Sequence, residues 1–382
     1  MPAVKAGPAA TAGNSGAAGP ATSHTGPMDL GSLGWDDALA DQFGQWAAAG
    51  HRPGRVTAAH RGGYLVAGGD GELLAPASGR LRHLAGPSVA DLPAVGDWVA
   101  VREGRIHAVL PRRTAVTRRQ PGSAAGEQVL AANVDLVLVV VAPGRDANPR
   151  RVERLLALAW SSGAQPVVVL GRADLCPEWG TDVAGELAGL AAVAPGVEVL
   201  ALSCFTGEGV GQVAAMLGPG RTGVLLGSSG VGESTLVNRL AGRDLLATGE
   251  LRDDGKGRHT TTTRQLVVLA GGGLVIDTPG LRELGLWTDA AGTAAAFEDV
   301  EELAAGCRFD DCRHRTEPGC AVKAALEDGR LAADRFAAWG KLQRELAWAE
   351  QRDDPLAAAD RRRHVRAVSR SVRAHELHRG RD

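Results

Sequence analysis

The chain has 382 residues, 42 basic against 44 acidic side chains for a net charge of −2, and an apolar content of 44%. That length suits two or three domains with a real core and excludes a small disulfide-stapled scaffold. The balanced charge excludes a globally basic nucleic-acid binder, so such a partner would have to meet local basic patches, and no stretch approaches the ~20 apolar residues of a membrane span.

Residues 1–50 are expected to form a disordered tail. Up to residue 31 they are Ala, Gly, Pro, Ser and Thr with almost no large apolar side chains, so burial cannot offset the entropy of ordering them. Residues 51–125 read as short strands broken by Gly and Pro, with candidates at 55–59, 63–67, 72–75, 98–102, 105–110 and 114–118. This is the pattern of a small antiparallel, OB-like barrel. Arg112, Arg113, Arg118 and Arg119 flank its last strand. They read either as a solvated charged edge or as contacts to a nucleic-acid backbone.

The character changes over residues 126–296. Apolar runs at 134–142, 166–170, 197–202, 222–226 and 274–276 alternate with helical segments, as in a parallel sheet covered by helices on both faces. Residues 297–382 carry a cysteine cluster, helical stretches and a basic tail. Three of the five cysteines fall between Cys307 and Cys320, which favours a metal site in a reducing cytosol over disulfides. From Arg361 onward eight arginines face two acids, either a solubilising end or a basic helix for a phosphate-rich partner.

The chemistry is carried by Gly227-Ser228-Ser229-Gly230-Val231-Gly232-Glu233-Ser234-Thr235, between an apolar strand and a helical stretch. Strand, glycine-rich turn and helix make a phosphate-binding loop, whose backbone N–H groups wrap an anion at a helix N-terminus. The pattern G-x-x-x-x-G-K-[ST] is met except that Glu233 replaces the lysine. A carboxylate ~4 Å from phosphate costs on the order of 4 kcal/mol at an effective dielectric of 20, and the lost lysine forfeits a comparable attraction. Lys256 and Arg258 are candidates to compensate.

Leu274–Ile276 runs into Asp277-Thr278-Pro279-Gly280, a D-x-x-G whose Asp277 holds Mg²⁺ through water and whose Gly280 N–H meets the γ-phosphate. Ser234 completes the Mg²⁺ site. The polar loop with Thr260 and Thr261 lies between the two motifs, where a switch threonine approaches the metal. For the base, Gly171-Arg172-Ala173-Asp174 stands where N-K-x-D is expected, and Ser203-Cys204 where S-A-K is expected. Asp174 supplies the carboxylate for guanine, while Gly171 lacks the asparagine's hydrogen bonds and selectivity is blurred.

Asp174 and Ser203 precede Gly227, the reverse of the usual order, so the nucleotide domain is circularly permuted. With a barrel ahead of it and Cys307-x₄-Cys312-x-His314-x₅-Cys320 behind, the chain resembles the RsgA (YjeQ) family of small-ribosomal-subunit biogenesis GTPases. The resemblance covers about residues 50–350. It implies a barrel, a permuted P-loop GTPase and a zinc-binding, mainly helical domain. It also implies a cytoplasmic monomer that binds GTP and GDP, with hydrolysis stimulated by the 30S subunit and its 16S rRNA late in maturation. Leu281 stands where many GTPases place a water-orienting glutamine, and the resemblance points to His259 for that role; the alternative is a solvent-facing loop histidine. Cys307, Cys312, His314 and Cys320 suit one structural Zn²⁺. Two alternatives stand beside the active GTPase: a catalytically impaired protein of this fold that docks on rRNA, and a nucleotide-binding regulator unconnected with the ribosome.

Overall fold

Trp35, Leu39, Phe43 and Trp46 recur near helical spacing, and the Asp36 carboxylate caps the run by accepting from the Leu39 N–H at 3.0 Å. In the computed structural model, which describes residues 28–86, 88–119, 127–228, 230–246, 264–277 and 290–353, the last three lie on helix α1 (Asp37–Ala48) and Trp35 just precedes it. This corrects the expectation of a disordered tail through residue 50; residues 1–27 lie outside the described residues. Trp35 packs edge-on against Trp98, 4.7 Å between ring centres, and so fastens the helix to the next module.

That module contains β1 (Arg52–His60), β2 (Gly63–Gly68), β3 (Gly71–Ala75), helix α2 (Gly79–Ala85), β4 (Trp98–Arg102) and β5 (Arg105–Val109). Strand β1 pairs antiparallel with β2 and β4, β2 with β3, and β4 with β5. A bridge between Ala77 and Ile106 closes the ring. Val56, Val66, Val99 and Ile106 fill the interior. Strands β6 (Ala115–Arg119) and β7 (Glu127–Ala132) form a separate antiparallel pair.

The apolar runs that follow become strands of one layer. In chain order they are β8 (Leu136–Val141), helix α3 (Pro149–Ser161), β9 (Gln165–Leu170), α4 (Val183–Val193), β10 (Glu198–Ala201), α5 (Val210–Met216), β11 (Thr222–Gly227), α6 (Glu233–Ala241), β12 (Gln265–Val268) and β13 (Leu274–Asp277). Asn148 caps α3 by accepting from the Arg150 N–H, with Pro149 in the first turn. The spatial order is β10-β9-β8-β11-β13-β12. All pairings are parallel except that of β12 with β13. Strand β12 also meets β1 at Ala58 and Gln265, so barrel and nucleotide module share one sheet of eleven strands.

The chain ends its described course in α7 (Ala290–Ala296), α8 (Glu298–Ala305), α9 (Ala321–Glu327) and α10 (Ala333–Asp353). Arg335 of α10 locks these helices onto α3. It is 7% exposed and donates to Glu153 at 2.9 Å, to both oxygens of Asp299, and to the Ala296 carbonyl at 2.8 Å, above the Phe297 ring. Among the described residues no helix is long and apolar enough to cross a membrane.

Arg55 occupies the junction between the modules, 2% exposed. It donates to the carbonyls of Leu33, Gly96 and Asn133 and to the Thr222 hydroxyl of β11. Replacing it by methionine removes these bonds, and of the three carbonyls only that of Gly96 keeps a side-chain donor among the described residues, from Asn133 Nδ2 at 3.1 Å. We expect Arg55→Met to cost on the order of 3 kcal/mol, read from urea denaturation. A loss below about 1 kcal/mol would show that the modules are held by something else.

Candidate nucleotide-binding site

Parallel strands with helices between them open a crevice beyond their carboxyl ends, where the crossover direction changes. Strand β11 lies between β8 and β13, and the segment from Gly227 to Thr235 leaves its carboxyl end. Gly230 and Gly232 adopt φ of +87° and +102°, a region that disfavours any residue with a Cβ. Gly227 is required for space, since a methyl there would lie 2.5 Å from the Val140 carbonyl oxygen. Val231 and Leu236 are buried against the sheet. Ser234 is half-buried in the first turn of α6, and Thr235 is exposed. Ser229 lies outside the described residues.

Glu233 opens α6 and is 8% exposed. Its Oε1 lies 3.1 Å from where a Gly227 methyl would stand, so the carboxylate folds back along the strand end. The sequence reading missed Asp146, which follows β8. Ser228 Oγ donates to its Oδ1, the Ala142 N–H donates to its Oδ2 at 2.9 Å, and Arg151 of α3 stands 3.7 Å away. A lone aspartate 82 positions upstream carries no motif, so no sequence signal could have found it. On the other side of the loop, Asn238 accepts from the N–H groups of Leu245 and Leu246 and donates to the Leu246 carbonyl. It thereby sets where the chain departs toward the switch segment.

Asp277 closes β13, the neighbour of β11, and opposes Gln265 of β12. It therefore reaches the same sheet edge as the phosphate loop. His259, Thr260, Thr261 and Gly280, assigned from the sequence, lie outside the described residues.

The base-binding segment arrives from β9. The Gly171 N–H donates to the Val141 carbonyl at 2.8 Å. Arg172 is half-buried and Asp174 exposed. From β10, Ser203 is 2% exposed, and its hydroxyl accepts from the N–H groups of Phe205 and Thr206 at 3.2 and 3.1 Å. That hydroxyl therefore braces the turn. Burial pushes the Cys204 thiol up, Arg239 and Arg172 oppose the shift, and Asp174 adds to it. The two segments meet where the Ala173 N–H donates to the Leu202 carbonyl at 3.0 Å.

In the connection between α8 and α9, Cys307, Cys312, His314 and Cys320 bring their ligand atoms within 4.8 Å of one another. Cys307 and Cys320 Sγ lie 3.9 Å apart, and each is within 3.6 Å of His314 Nδ1. Tetrahedral zinc at the usual bond lengths demands separations of about 3.6–3.8 Å, so this donor set fits such an ion. Phe336 and Trp339 of α10 pack on the His314 ring.

The arginines beside β6 divide. Arg112 holds buried Asp97 at 2.8 and 2.7 Å and also donates to the Ala90 and Leu92 carbonyls. Arg113 grips Asp36 with two bonds of 2.6 Å, and this pairing holds the Asp36 carboxyl down at about 2. Both are structural, which narrows the nucleic-acid reading of the patch. Arg118 bonds Gln128, and the Arg119 side chain lies outside the described residues.

Residues 109–287 match the family model described as RsgA GTPase. The small ribosomal subunit biogenesis GTPase RsgA of Opitutus terrae is 49% identical, over 93% of this chain and all of the relative. The protein of that name from Streptomyces coelicolor is 45% identical over 90% of this chain and 93% of its own length. Among solved structures, YjeQ from Thermotoga maritima covers 78% of this chain and 99% of its own, with TM-score 0.58 at 27% identity. YloQ, a circularly permuted GTPase, shares the fold at TM-score 0.55 and 23% identity, over 78% of this chain and 95% of its own.

Proposed function

Because the chain belongs to the RsgA GTPase family, we propose that it hydrolyses GTP while assisting late maturation of the small ribosomal subunit. The observation that carries this reading is the phosphate loop at the end of β11, flanked by Asp277 and by a base-binding segment earlier in the chain. The loop's N–H groups and the start of α6 bind the phosphates. Asp174 accepts from the guanine edge, and the Cys204 backbone N–H faces the base carbonyl. Ser234 and Asp277 would hold Mg²⁺, which when bound neutralises charge on the β- and γ-oxygens. Thr260, Thr261 and Gly280 complete the γ-phosphate side.

With Leu281 in the glutamine position, His259 orients the attacking water and accepts its hydrogen bond. That histidine lies in the segment leading into β12, which pairs with the barrel. Docking of the barrel on the 30S subunit and its 16S rRNA would act through β12 on His259 and raise turnover. The work is done in the cytoplasm, where subunits mature. Cys307, Cys312, His314 and Cys320 hold one structural Zn²⁺, because four protein donors leave no open position for chemistry.

Two measurements test this. GTP turnover should rise at least ~10-fold on adding 30S subunits, and His259→Ala should abolish the rise. Glu233→Lys should tighten GTP by orders of magnitude. Hydrolysis by neither version, with or without subunits, would falsify the assignment. For the metal, purified protein should contain one zinc per chain, and Cys312→Ser should lower both zinc content and Tm. Folded protein devoid of zinc would refute the structural site.

A further inference from the structure

A nucleotide's phosphates require positive charge, yet position 233 presents a carboxylate. The base-binding segment lies directly on the phosphate loop. A methyl on Gly171 would come 3.4 Å from the Val231 carbonyl oxygen and 3.3 Å from Val140 Cγ1, so the two backbones run side by side within van der Waals reach. The next residue, Arg172, holds φ +54° and ψ +37°. A side chain in this left-handed region is held at a cost on the order of 1 kcal/mol, and such strain persists only where the surroundings impose it. In this position the Arg172 Nε is 3.9 Å from where a Gly232 methyl would stand. Gly232 is the residue immediately before Glu233, at the mouth of α6.

We propose that Arg172 is the phosphate-site cation of this protein. From the base-binding segment it supplies the charge that position 233 withholds, and it offsets the Glu233 carboxylate. A guanidinium suits this place because it stays charged, is weakly hydrated, and presents several donors in a fork that fits phosphate oxygens. The arginine at 172, a departure from N-K-x-D, then carries the charge from a segment whose backbone runs beside the loop. The inference rests on the reading of this site as one for guanine nucleotide.

The test is a double-mutant cycle on the full chain, titrating a fluorescent GDP analogue. Arg172→Ala should weaken binding about tenfold or more when Glu233 is present, and no more than about threefold in the Glu233→Lys background. Arg172→Lys should lose clearly less than Arg172→Ala, since it keeps the charge while giving up the fork. Equal losses in both backgrounds would overturn the proposal, because a merely structural role does not depend on residue 233. A loss for Arg172→Lys as large as for Arg172→Ala would overturn it as well. So would coupling of residue 233 to Lys256→Ala or Arg258→Ala with none to Arg172, or an unaltered chain that binds no GDP while Glu233→Lys binds it. If Glu233→Lys also binds no guanine nucleotide, the reading of the site itself falls and takes this inference with it.

Discussion

The burial of one guanidinium constrains how the modules fit together. Arg55 sits on β1, the strand that belongs to the barrel through β2 and β4 and meets the nucleotide sheet through β12. Its donors engage the segment before α1, the loop before β4, the turn before β8 and the first residue of β11. A charge so far from water is tolerated only when its hydrogen bonds are met. Burial lowers the Arg55 pKa to about 10, which leaves it charged at neutral pH. Trp98 lies beside it at 5.5 Å. Slipping β1 by one residue would point the arginine to the opposite face, so this residue fixes strand register and module docking together.

The phosphate loop inherits its position from that docking. Strand β11 begins at Thr222, whose hydroxyl Arg55 holds and whose N–H donates to Asp135 at 2.7 Å. At its other end the strand delivers Gly227 into a space with no room for a side chain. The loop is then fastened by Asp146 on one side and crossed by Gly171 and Arg172 on the other. Those contacts come from segments that precede it in the chain, so the permuted order still brings these segments together at the end of β11.

Much of this was legible in the sequence because it depends on local rules. The phosphate loop, D-x-x-G and the cysteine spacing encode backbone shape or ligand geometry within a few residues, and buried parallel strands announce themselves as unbroken apolar runs. Less visible was α1, where Leu39, Phe43 and Trp46, with Trp35 just ahead, stand in a segment otherwise rich in small and polar residues. Strand β12 is four residues long, as is β13, but no motif at its end marks it. Arg112 and Arg113 looked like a surface patch because sequence shows charge but not its partner. Asp97 and Asp36 lie 15 and 77 positions away. Asp146 and Arg335 were silent for the same reason: long side chains choose partners through the fold, and no periodicity records the choice.

The Arg335 joint bears on how such proteins diversify. Glu153 lies on α3, within the nucleotide module, 2% exposed, and its nearest cation comes from α10. Burial already pushes its carboxyl upward, with Arg335 holding it back. A descendant that kept a helix over this place but lost the arginine would bury the Glu153 carboxylate with its counter-ion gone, a state on the order of 3–5 kcal/mol worse than the intact pair. Exchange of that module by recombination would therefore favour a compensating change at residue 153. Of the ion pairs that join α3 to α10, with Arg150–Asp334 and Arg154–Glu345 near the surface, it is the buried one that ties the two parts as a hereditary unit.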